Sequence, residues 1–538
     1  MKPAGRAPEV ILFGLDGATF TLLDDLMARG IMPNLARFQA EGTRAPLLST
    51  VPPLTPLAWS SLVTGRTPGQ HGILGFMQYA GPNSTSVELV SSRQFKTETI
   101  WSMVNRHAKR AGSLNFVAHQ PAPKIEGWVI PGWVSWRWMK RLSHPAGIID
   151  HLKQNLGGFD VKKLAIDFEE ERKSVVGAPM DDYRSWIWLH IERERQWFQV
   201  LRHMMAEDPA DLVGVVFDGV DKLQHLLWYY LDPAVGQALS PANPEYFRIR
   251  EMAWDYYRSV DDLLGQTLDL YGDRSTILIC SDHGFTGTRE IVYINSWLEK
   301  MGYLTWKPET EMAEDGSQEL ESGVYRSVGF DAAHTKAYAL TASSNGIFIN
   351  VKGRRDETGI PPQEYDRFRR ELIDALLTKC VDPETGEPLI TRVTTREEAF
   401  WGPNMQNAPD LTLELRDFGF VSVRRTNTVY AKRPLILGTH HPEGILLARG
   451  AGIRRNARID PVWLVDIAPT ALYAMGLDIP ADLQGRVLEE IYTPEHLFAH
   501  RSTVGEQTEA AEPVPVPVGV PDEDVEIIEK MKALGYLE

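Results

Sequence analysis

Short apolar runs along the chain predict the strands of a buried sheet. Runs rich in Val, Ile and Leu, without alternating polar residues, are typical of strands that are covered on both faces. They occupy Val10–Leu15, Leu212–Phe217, Thr276–Cys280 and residues 445–448. Helical patterns lie between them, for example at residues 21–41 and 466–475, and Gly476 ends the second of these. The pattern predicts an α/β fold with a mostly parallel central sheet and helices on both faces.

Three of the predicted strands end directly in acidic or histidine residues. Asp16 follows the first run, Asp218 and Asp221 follow the second, and Asp282 and His283 follow the third. In open parallel sheets, ligands bind beyond the carboxyl ends of the strands. We therefore expect these side chains, distant in sequence, to meet at one edge of the sheet.

The residue types at this predicted edge are those of a metal site. Asp221 and His225 are four residues apart, which places both on one face of a helix, and His440 precedes the fourth run. The set offers three carboxylates and three imidazoles: Asp16, Asp221, Asp282, His225, His283 and His440. Mixed nitrogen and oxygen ligands suit zinc, with manganese as the alternative. Taken singly, such an Asp is more often a helix cap or turn residue, so the prediction rests on their joint placement.

The run PPLTP makes Thr55 a candidate nucleophile. Proline restricts both itself and the residue before it, and Pro56 suits the first position of a helix. A helix from Pro56 would place Thr55 at the N-cap, where backbone N–H groups and the helix dipole favour an anion such as phosphate. The alternative is that Thr55 is only a cap.

Composition and charge narrow the class of protein. The 538 residues carry a formal net charge of −16, which disfavours a broad nucleic-acid surface but not a small anionic substrate held by metal ions. The two cysteines, Cys280 and Cys380, form no CxxC pair, so no disulfide framework is expected. No signal-like run opens the chain, and no run approaches the roughly 20 apolar residues of a membrane span. We expect a soluble cytoplasmic protein of open oligomeric state, with a small phosphorylated substrate and no nucleic-acid partner.

Changes in residue character along the chain divide it into core and inserted segments. Residues near 115–205 are rich in Trp, those near 300–430 carry charged patches, and a Pro/Val-rich stretch at 506–522 is typical of a linker. The Trp side chains are compatible with core packing or with an aromatic wall over a substrate. The predicted segments are a first core segment with the nucleophile (1–114), a Trp-rich cap (115–205), a second core segment with metal ligands (206–300), a second cap (301–430), a third core segment (431–500), and a linker with a C-terminal helix (501–538).

The order of the motifs resembles that of the type I phosphodiesterase / nucleotide pyrophosphatase family of the alkaline-phosphatase superfamily. The pieces that carry the resemblance are LDGAT with MPNLARF, PPLTPLAWSSLVTGRTPGQHGI, DGVDKLQH, SDHGF, GTHHPEGILLARGAGI and DIAPTALYAMGLDIPADLQGRVL. They run through nearly the whole chain, and several motifs in the same order are more specific than any one. The resemblance implies an alkaline-phosphatase-like core.

The resemblance also implies a ligand set for two divalent metal ions, Zn²⁺ or alternatively Mn²⁺. The first ion would be held by Asp16, Thr55, Asp282 and His283. The second would be held by Asp221, His225 and His440. His440 is preferred to His441 because it stands two residues before the proline of this motif, as the family's His does. Asp218 has no matched role, and His71 matches a structural position of the family.

One position departs from the family pattern. Many nucleotide pyrophosphatases carry an Asn shortly after the HGI motif that helps to hold a phosphate oxygen, whereas this chain has Gly75 and Phe76 there. The absence of an amide puts nucleotide-type substrate handling in doubt. It implies that metal ions and backbone alone hold the phosphate.

The function implied by residues and resemblance together is two-metal hydrolysis of a phosphate ester, with a phosphodiester favoured, through a phospho-threonine on Thr55. The alternatives are a phosphomonoesterase, a phosphomutase or a phosphotransferase of the same superfamily. A sulfatase is disfavoured because LTPLAW lacks the Cys or Ser and the Arg of the sulfatase motif. A non-catalytic scaffold is disfavoured because the ligand set is complete.

Overall fold

A central sheet organises the protein in the computed structural model, which describes residues 6–166, 182–238, 244–307, 317–318, 326–327, 329–512 and 514. Within these residues the sheet has nine strands. They are β1 (Val10–Leu15), β2 (Thr43–Leu48), β3 (Ala111–Leu114), β4 (Gly127–Ile130), β5 (Leu212–Phe217), β6 (Thr276–Cys280), β7 (Glu443–Arg449), β8 (Ala457–Arg458) and β9 (Val462–Trp463). Their order is β8-β2-β7-β6-β1-β5-β3-β4, and β9 also pairs with β2.

Most of the sheet is parallel. β1 lies between β5 and β6 and runs parallel to both, and β3 and β4 continue the parallel order beyond β5. β7 is antiparallel to both of its neighbours, β6 and β2. The prediction that residues 445–448 form a parallel strand was therefore wrong in direction. The strand Tyr430–His441 leads the chain to the carboxyl edge of the sheet just before β7, so β7 has to run back from that edge.

Helices pack on both faces of this sheet, which confirms the predicted fold class. Alternate side chains of β1 divide between the faces: Ile11, Phe13 and Leu15 join one apolar cluster, and Val10 and Leu12 join the other. The helices are Phe20–Ala28, Pro33–Glu41, Thr55–Thr64, Pro68–His71, Ile100–Asn105, Trp136–Leu142, Ile148–Asn155, Val161–Leu164, Asp182–Glu207, Gly219–Leu231, Pro233–Ala238, Pro244–Tyr271, Ile294–Lys300, Tyr365–Lys379, Arg396–Ala399, Ile467–Ala474 and Pro494–Ala499. Short 3₁₀ turns are Ser92–Gln94, Pro362–Glu364, Met405–Asn407, Leu464–Asp466 and Glu489–Ile491.

The pattern at 21–41 forms two helices instead of one. Phe20–Ala28 and Pro33–Glu41 are separated by a turn in which Gly30 has a φ of 72°. That left-handed backbone suits glycine, and Pro33 then starts the second helix because its fixed φ fits the first helical position. The predicted pattern at 466–475 is found as Ile467–Ala474, followed by Gly476.

The region between residues 300 and 430 contains a second sheet with its own apolar core. The strands Ala337–Ala339, Gly346–Ile349, Leu411–Leu415 and Ile390–Thr395 lie in this order and pair antiparallel. Smaller strand pairs are Met77–Tyr79 with Val87–Leu89, Ser317–Gln318 with Arg326–Ser327, and Ile479–Pro480 with Val504–Gly505. The boundaries of the six predicted segments stay predictions.

The Trp-rich region supplies both core and surface. Trp128, Trp186 and Trp197 are fully buried, whereas Trp136 and Trp188 are 43% and 55% exposed. The predicted linker at 506–522 lies partly outside the described residues, and the predicted C-terminal helix lies wholly outside them. In the described residues of the tail, Ala510 forms an isolated antiparallel bridge with Thr97. None of the helices described here is both long and apolar enough to cross a bilayer.

The side chain of Asp261, in the long helix Pro244–Tyr271, caps the N-terminus of the helix Pro33–Glu41, and substitution of Asp261 tests this contact. Its buried carboxylate accepts hydrogen bonds from the backbone N–H groups of Asn34 and Leu35, at 3.0 and 2.8 Å. We expect Asp261→Ala to lower the free energy of unfolding by about 2 kcal/mol, because the first turn loses its cap. Urea unfolding measures this change. The exposed neighbour Asp262→Ala is the control and should change little, and equal effects of both substitutions would contradict the capping role.

Candidate metal centre

The carboxyl ends of three neighbouring strands supply most of the site. Asp16 follows β1, Asp282 and His283 follow β6, and Asp221 lies in the first turn of the helix Gly219–Leu231, which follows β5. Because β5, β1 and β6 are adjacent and parallel, these ends lie side by side. The four residues are at most 3% exposed. The folding rule for parallel sheets thus accounts for their meeting.

A two-stranded ribbon brings the distant His440 to the same place. The strands Gly284–Val292 and Tyr430–His441 pair antiparallel, with His440 opposite Phe285. The imidazole ring of His440 stacks on that of His283 at a centroid distance of 3.6 Å. His440 precedes β7, as the sequence suggested, and it also lies within a strand of its own, because the ribbon extends up to the turn that leads into β7.

Asp221, His225 and His440 form one compact group of potential ligand atoms. The Nε2 atoms of the two histidines are 3.1 Å apart, and they lie 3.4 and 3.2 Å from Asp221 Oδ1. Asp221 and His225 share one face of their helix, as their spacing predicted. Three such atoms at these separations suit a single divalent ion.

A second group overlaps the first through the same carboxylate oxygen. His283 Nε2 lies 3.7 Å from Asp16 Oδ1 and 4.0 Å from Asp221 Oδ1. It lies 3.3 Å from Asp282 Oδ2 and 3.4 Å from the hydroxyl oxygen of Thr55. Asp221 thus stands between the two groups, close enough to serve ions in both.

The three imidazoles are oriented by backbone carbonyl groups. The Nδ1 atoms of His225, His283 and His440 lie 3.1, 3.1 and 2.8 Å from carbonyl oxygens of Gly438, Gly284 and Pro53, respectively. A carbonyl oxygen only accepts, so each Nδ1 carries the proton and donates it. Each Nε2 is then directed at the carboxylates, where a neutral ring presents its lone pair to a metal ion, as in metal-binding histidines.

Gly17 links the end of β1 to Asp282. Its N–H donates to Asp282 Oδ1 at 3.1 Å, and its φ is 66°. A Cβ at this position would lie 2.9 Å from the ring of Phe285. The close approach of β1 to the ribbon therefore requires glycine here.

Burial and mutual repulsion make the carboxylates of this site unusual acids. Burial, followed by the charges of Asp282 and Asp221, raises the pKa of Asp16 well above its ordinary value. Burial raises the pKa of Asp282 to about 8. Asp16 Oδ1 and Asp282 Oδ2 are buried without a hydrogen-bond donor among the described residues. A divalent cation would relieve both the repulsion and the missing donors, so the residues present fit a metal ion.

The pKa values of His283, His440 and Asp221 are lowered, whereas those of Asp16 and Asp282 are raised. Burial lowers the pKa of His283 and of His440, so both stay neutral and able to bind a metal. Burial alone would raise the pKa of Asp221, but the neighbouring His225 and His440 outweigh it and lower that pKa. Asp221 is therefore the ionised member of the cluster.

Thr55 lies at the start of a ten-residue helix that points at this cluster. The helix is Thr55–Thr64, with Leu54 at the N-cap. Thr55 therefore occupies the first helical position, not the predicted N-cap, because the extended backbone ends one residue earlier. Its 2%-exposed hydroxyl faces His283 and caps no backbone group. One turn later, Trp59 donates its Nε1–H to Asp16 Oδ2 at 3.3 Å, which fixes the helix to β1.

His71 supports the Thr55 helix from behind. Its ring lies 3.0 Å from the hydroxyl of Ser61 and accepts the N–H of Ile73 at 3.1 Å. Burial lowers its pKa to about 3, so it is neutral. These contacts agree with leaving His71 out of the ligand set.

Sequence reasoning missed three neighbours of the site: Lys222, Phe420 and Trp59. Lys222 Nζ lies 2.7 Å from Asp218 Oδ2, and Asp218 had been named without a role. Their four-residue spacing on a helix was a usable signal. The ring of Phe420 meets His440 edge-on at 5.0 Å, and Trp59 contacts Asp16. No local pattern pointed to these two, because each contact joins segments far apart in the chain.

The chain matches one protein family over most of its length. The model of the type I phosphodiesterase / nucleotide pyrophosphatase family matches residues 10–443. No protein with a curated description matches the chain.

Two solved structures are similar over most of the chain. Murine ectonucleotide pyrophosphatase / phosphodiesterase 5 is 14% identical, with 90% of this chain and 100% of that chain covered and a TM-score of 0.49. Phosphonoacetate hydrolase from Sinorhizobium meliloti 1021, in complex with phosphonoformate, is 16% identical, with 88% and 96% covered and a TM-score of 0.47. Likenesses at this level assign neither a substrate nor site residues to this chain.

The family match covers most of the sequence and spans the segments that hold Asp16, Thr55, Asp221, Asp282 and His440. It confirms the resemblance drawn from the motifs. The chain belongs to the type I phosphodiesterase / nucleotide pyrophosphatase family.

Proposed function

We propose that this protein hydrolyses phosphate esters, with a phosphodiester as the favoured substrate, through a covalent intermediate on Thr55 and with two bound divalent metal ions. One observation carries the proposal. Two groups of ligand atoms share Asp221 and lie beside a hydroxyl at a helix N-terminus. Two adjacent metal ions beside a nucleophile are a common arrangement in enzymes that catalyse displacement at phosphorus.

The ligand sets follow the two groups. Asp221, His225 and His440 would hold one ion. Asp16, Thr55, Asp282 and His283 would hold the other, with Asp221 Oδ1 in reach of both. Zn²⁺ suits the mixed nitrogen and oxygen ligands, and Mn²⁺ is the alternative. When bound, the ions stabilise negative charge on the attacking and leaving oxygens and lower the pKa of a bound hydroxyl or water.

The chain's own groups then carry the reaction in two steps. Thr55 Oγ1, after its proton has passed to solvent, attacks phosphorus, and the bond from phosphorus to the ester's leaving oxygen breaks as that oxygen departs and takes up a proton from solvent. Water next attacks the phospho-threonine, which returns the Thr55 hydroxyl and releases the phosphorylated product. The N-terminus of the Thr55–Thr64 helix is directed at the reacting phosphoryl group and favours its negative charge.

Removal of the nucleophile tests the proposal directly. We expect Thr55→Ala to lower kcat/KM for bis-p-nitrophenyl phosphate and p-nitrophenyl phosphate by about 10³-fold or more, because no hydroxyl can form the intermediate. Thr55→Ser is the matched control and should keep part of the activity. Both variants are assayed with zinc or manganese restored. A Thr55→Ala enzyme as active as the wild type would exclude a Thr55 intermediate.

The adjacent histidines His440 and His441 provide a matched pair for the metal assignment. His440 Nε2 faces Asp221, whereas His441 Nδ1 accepts the backbone N–H of Glu443 at 3.1 Å and its ring packs on Phe418. We expect His440→Ala to lose one of the two metal ions and His441→Ala to keep both. Metal content by inductively coupled plasma mass spectrometry measures this. The opposite result would move the ligand role to His441.

The raised pKa of Asp282 predicts how pH affects the metal-free protein. Folded Asp282 has a pKa of about 8 against an ordinary value of 3.8, so the folded state holds a proton that the unfolded state releases. This contribution to stability is complete below the unfolded pKa and is lost as pH rises through about 8. We therefore expect the Tm of the metal-free protein to fall between about pH 4 and pH 8. In calorimetry, Asp282→Asn should flatten this fall, and an unchanged slope would contradict the assignment.

A further inference from the structure

A buried ion pair continues the site along the carboxyl edge of the sheet. Asp218 follows β5, Asn115 follows β3, and Trp133 lies shortly after β4. Because β5, β3 and β4 are adjacent and parallel, these residues extend the same edge that carries the metal centre. They lie on the side of β5 away from Asp16.

Lys222 is the cation of this extension. It follows Asp221 in the same helical turn, and it is 3% exposed. Its Nζ lies 2.7 Å from Asp218 Oδ2 and 5.5 Å from the ring centroid of Trp133. Asp218 Oδ1 lies 3.5 Å from Asn115 Nδ2. Low exposure does not exclude Lys222 from substrate binding, since the proposed nucleophile Thr55 is buried to a similar degree.

An aromatic wall joins Lys222 to the surroundings of Thr55. The partly exposed Trp133 stacks on the buried Phe76, with ring centroids 5.5 Å apart and planes at 29°. Trp133 also packs against the apolar cluster that contains Leu54 and Leu57. These two leucines stand directly before Thr55 and directly after Pro56 in the sequence. The aromatic pair therefore connects Lys222 to the apolar cluster whose members Leu54 and Leu57 flank Thr55 and Pro56 in the sequence.

The energetics of the ion pair favour a functional role. For a buried pair of charges, the free-energy cost of desolvation can exceed the attraction between the charges. Replacing both partners by apolar groups is therefore often neutral or stabilising. A purely structural role, in which Lys222 only neutralises Asp218, does not account for the position of its Nζ beside the partly exposed ring of Trp133. A role in substrate binding does, because Lys is a donor for phosphate oxygens and flat side chains bind apolar groups.

We propose that Lys222 is a substrate-binding residue that donates a hydrogen bond to an anionic oxygen of the phosphate ester, and that Trp133 and Phe76 contact the ester's alcohol group. The favoured substrate class is a phosphate ester whose alcohol presents a flat or apolar face. This inference rests on the proposed function, since it concerns the same site.

The double variant Asp218→Asn/Lys222→Met separates binding from structure, because it removes both charges of the buried pair together. Relative to the wild type, we expect Lys222→Met to lower kcat/KM for the p-nitrophenyl esters by about 10- to 100-fold, the loss of one charge-assisted hydrogen bond. The double variant should stay equally impaired, and its Ki for inorganic phosphate should rise by a similar factor. Lys162→Met, an exposed lysine over Trp136, is the control and should match the wild type.

The outcomes separate this inference from the function on which it rests. A double variant with wild-type kcat/KM and Ki would overturn the inference and leave the hydrolase intact. A wild-type enzyme that cleaves neither ester when metal-loaded would overturn the proposed function itself. Metal content and Tm of each variant show that a loss of activity is not a loss of fold, and if Lys222→Met fails to fold, the double variant alone decides.

Discussion

The repulsion between buried carboxylates at one edge of the sheet is the constraint on which the rest of the site depends. Asp16, Asp221 and Asp282 meet there because β5, β1 and β6 are adjacent and parallel. In a site with almost no solvent, three such groups cannot all be ionised without cations. The raised pKa values of Asp16 and Asp282 record that conflict, and neutral imidazoles directed at the same point show how metal ions would resolve it.

The ribbon explains why the second region of the chain matters to this edge. The strand Gly284–Val292 begins directly after His283, and the four-stranded sheet follows it in the sequence. Its partner strand Tyr430–His441, which contains His440, comes after that sheet and pairs with the first strand. The ligand group of Asp221, His225 and His440 therefore depends on the pairing of these two strands, which flank the inserted region in the sequence. Phe420, from the end of that region, packs edge-on against His440 and ties the inserted region to the core.

Local sequence patterns were sufficient where the site follows strand ends. Asp16, Asp282 and His283 stand immediately after apolar runs, and Asp221 and His225 share a helical spacing, so both placements follow from period and topology alone. His440 entered the candidate set because it precedes the fourth apolar run, and the order of motifs favoured it over His441, but no local pattern would have placed it next to His283. The parallel core was predictable for the same reason, since fully apolar runs separated by helices leave few other arrangements.

What the sequence did not contain were contacts and directions set by distant segments. β7 is antiparallel because the ribbon ends at the carboxyl edge of the sheet, whereas a parallel strand would have to start at the opposite edge. The start of the Thr55 helix depends on one residue of extended backbone at Leu54. The pairing of Asp218 with Lys222 had a spacing signal, but its position beside Trp133 requires β4 to lie where it does.

An anomalous diffraction experiment on crystals of the zinc-loaded protein tests the central claim most directly. The account predicts two peaks at the zinc absorption edge, about 4 Å apart, as in two-metal phosphoryl-transfer sites. One peak should lie beside Asp16, Asp282 and His283, and the other beside His225 and His440. A single peak, no peak, or peaks away from these side chains would contradict a two-metal centre at the carboxyl edge of the sheet.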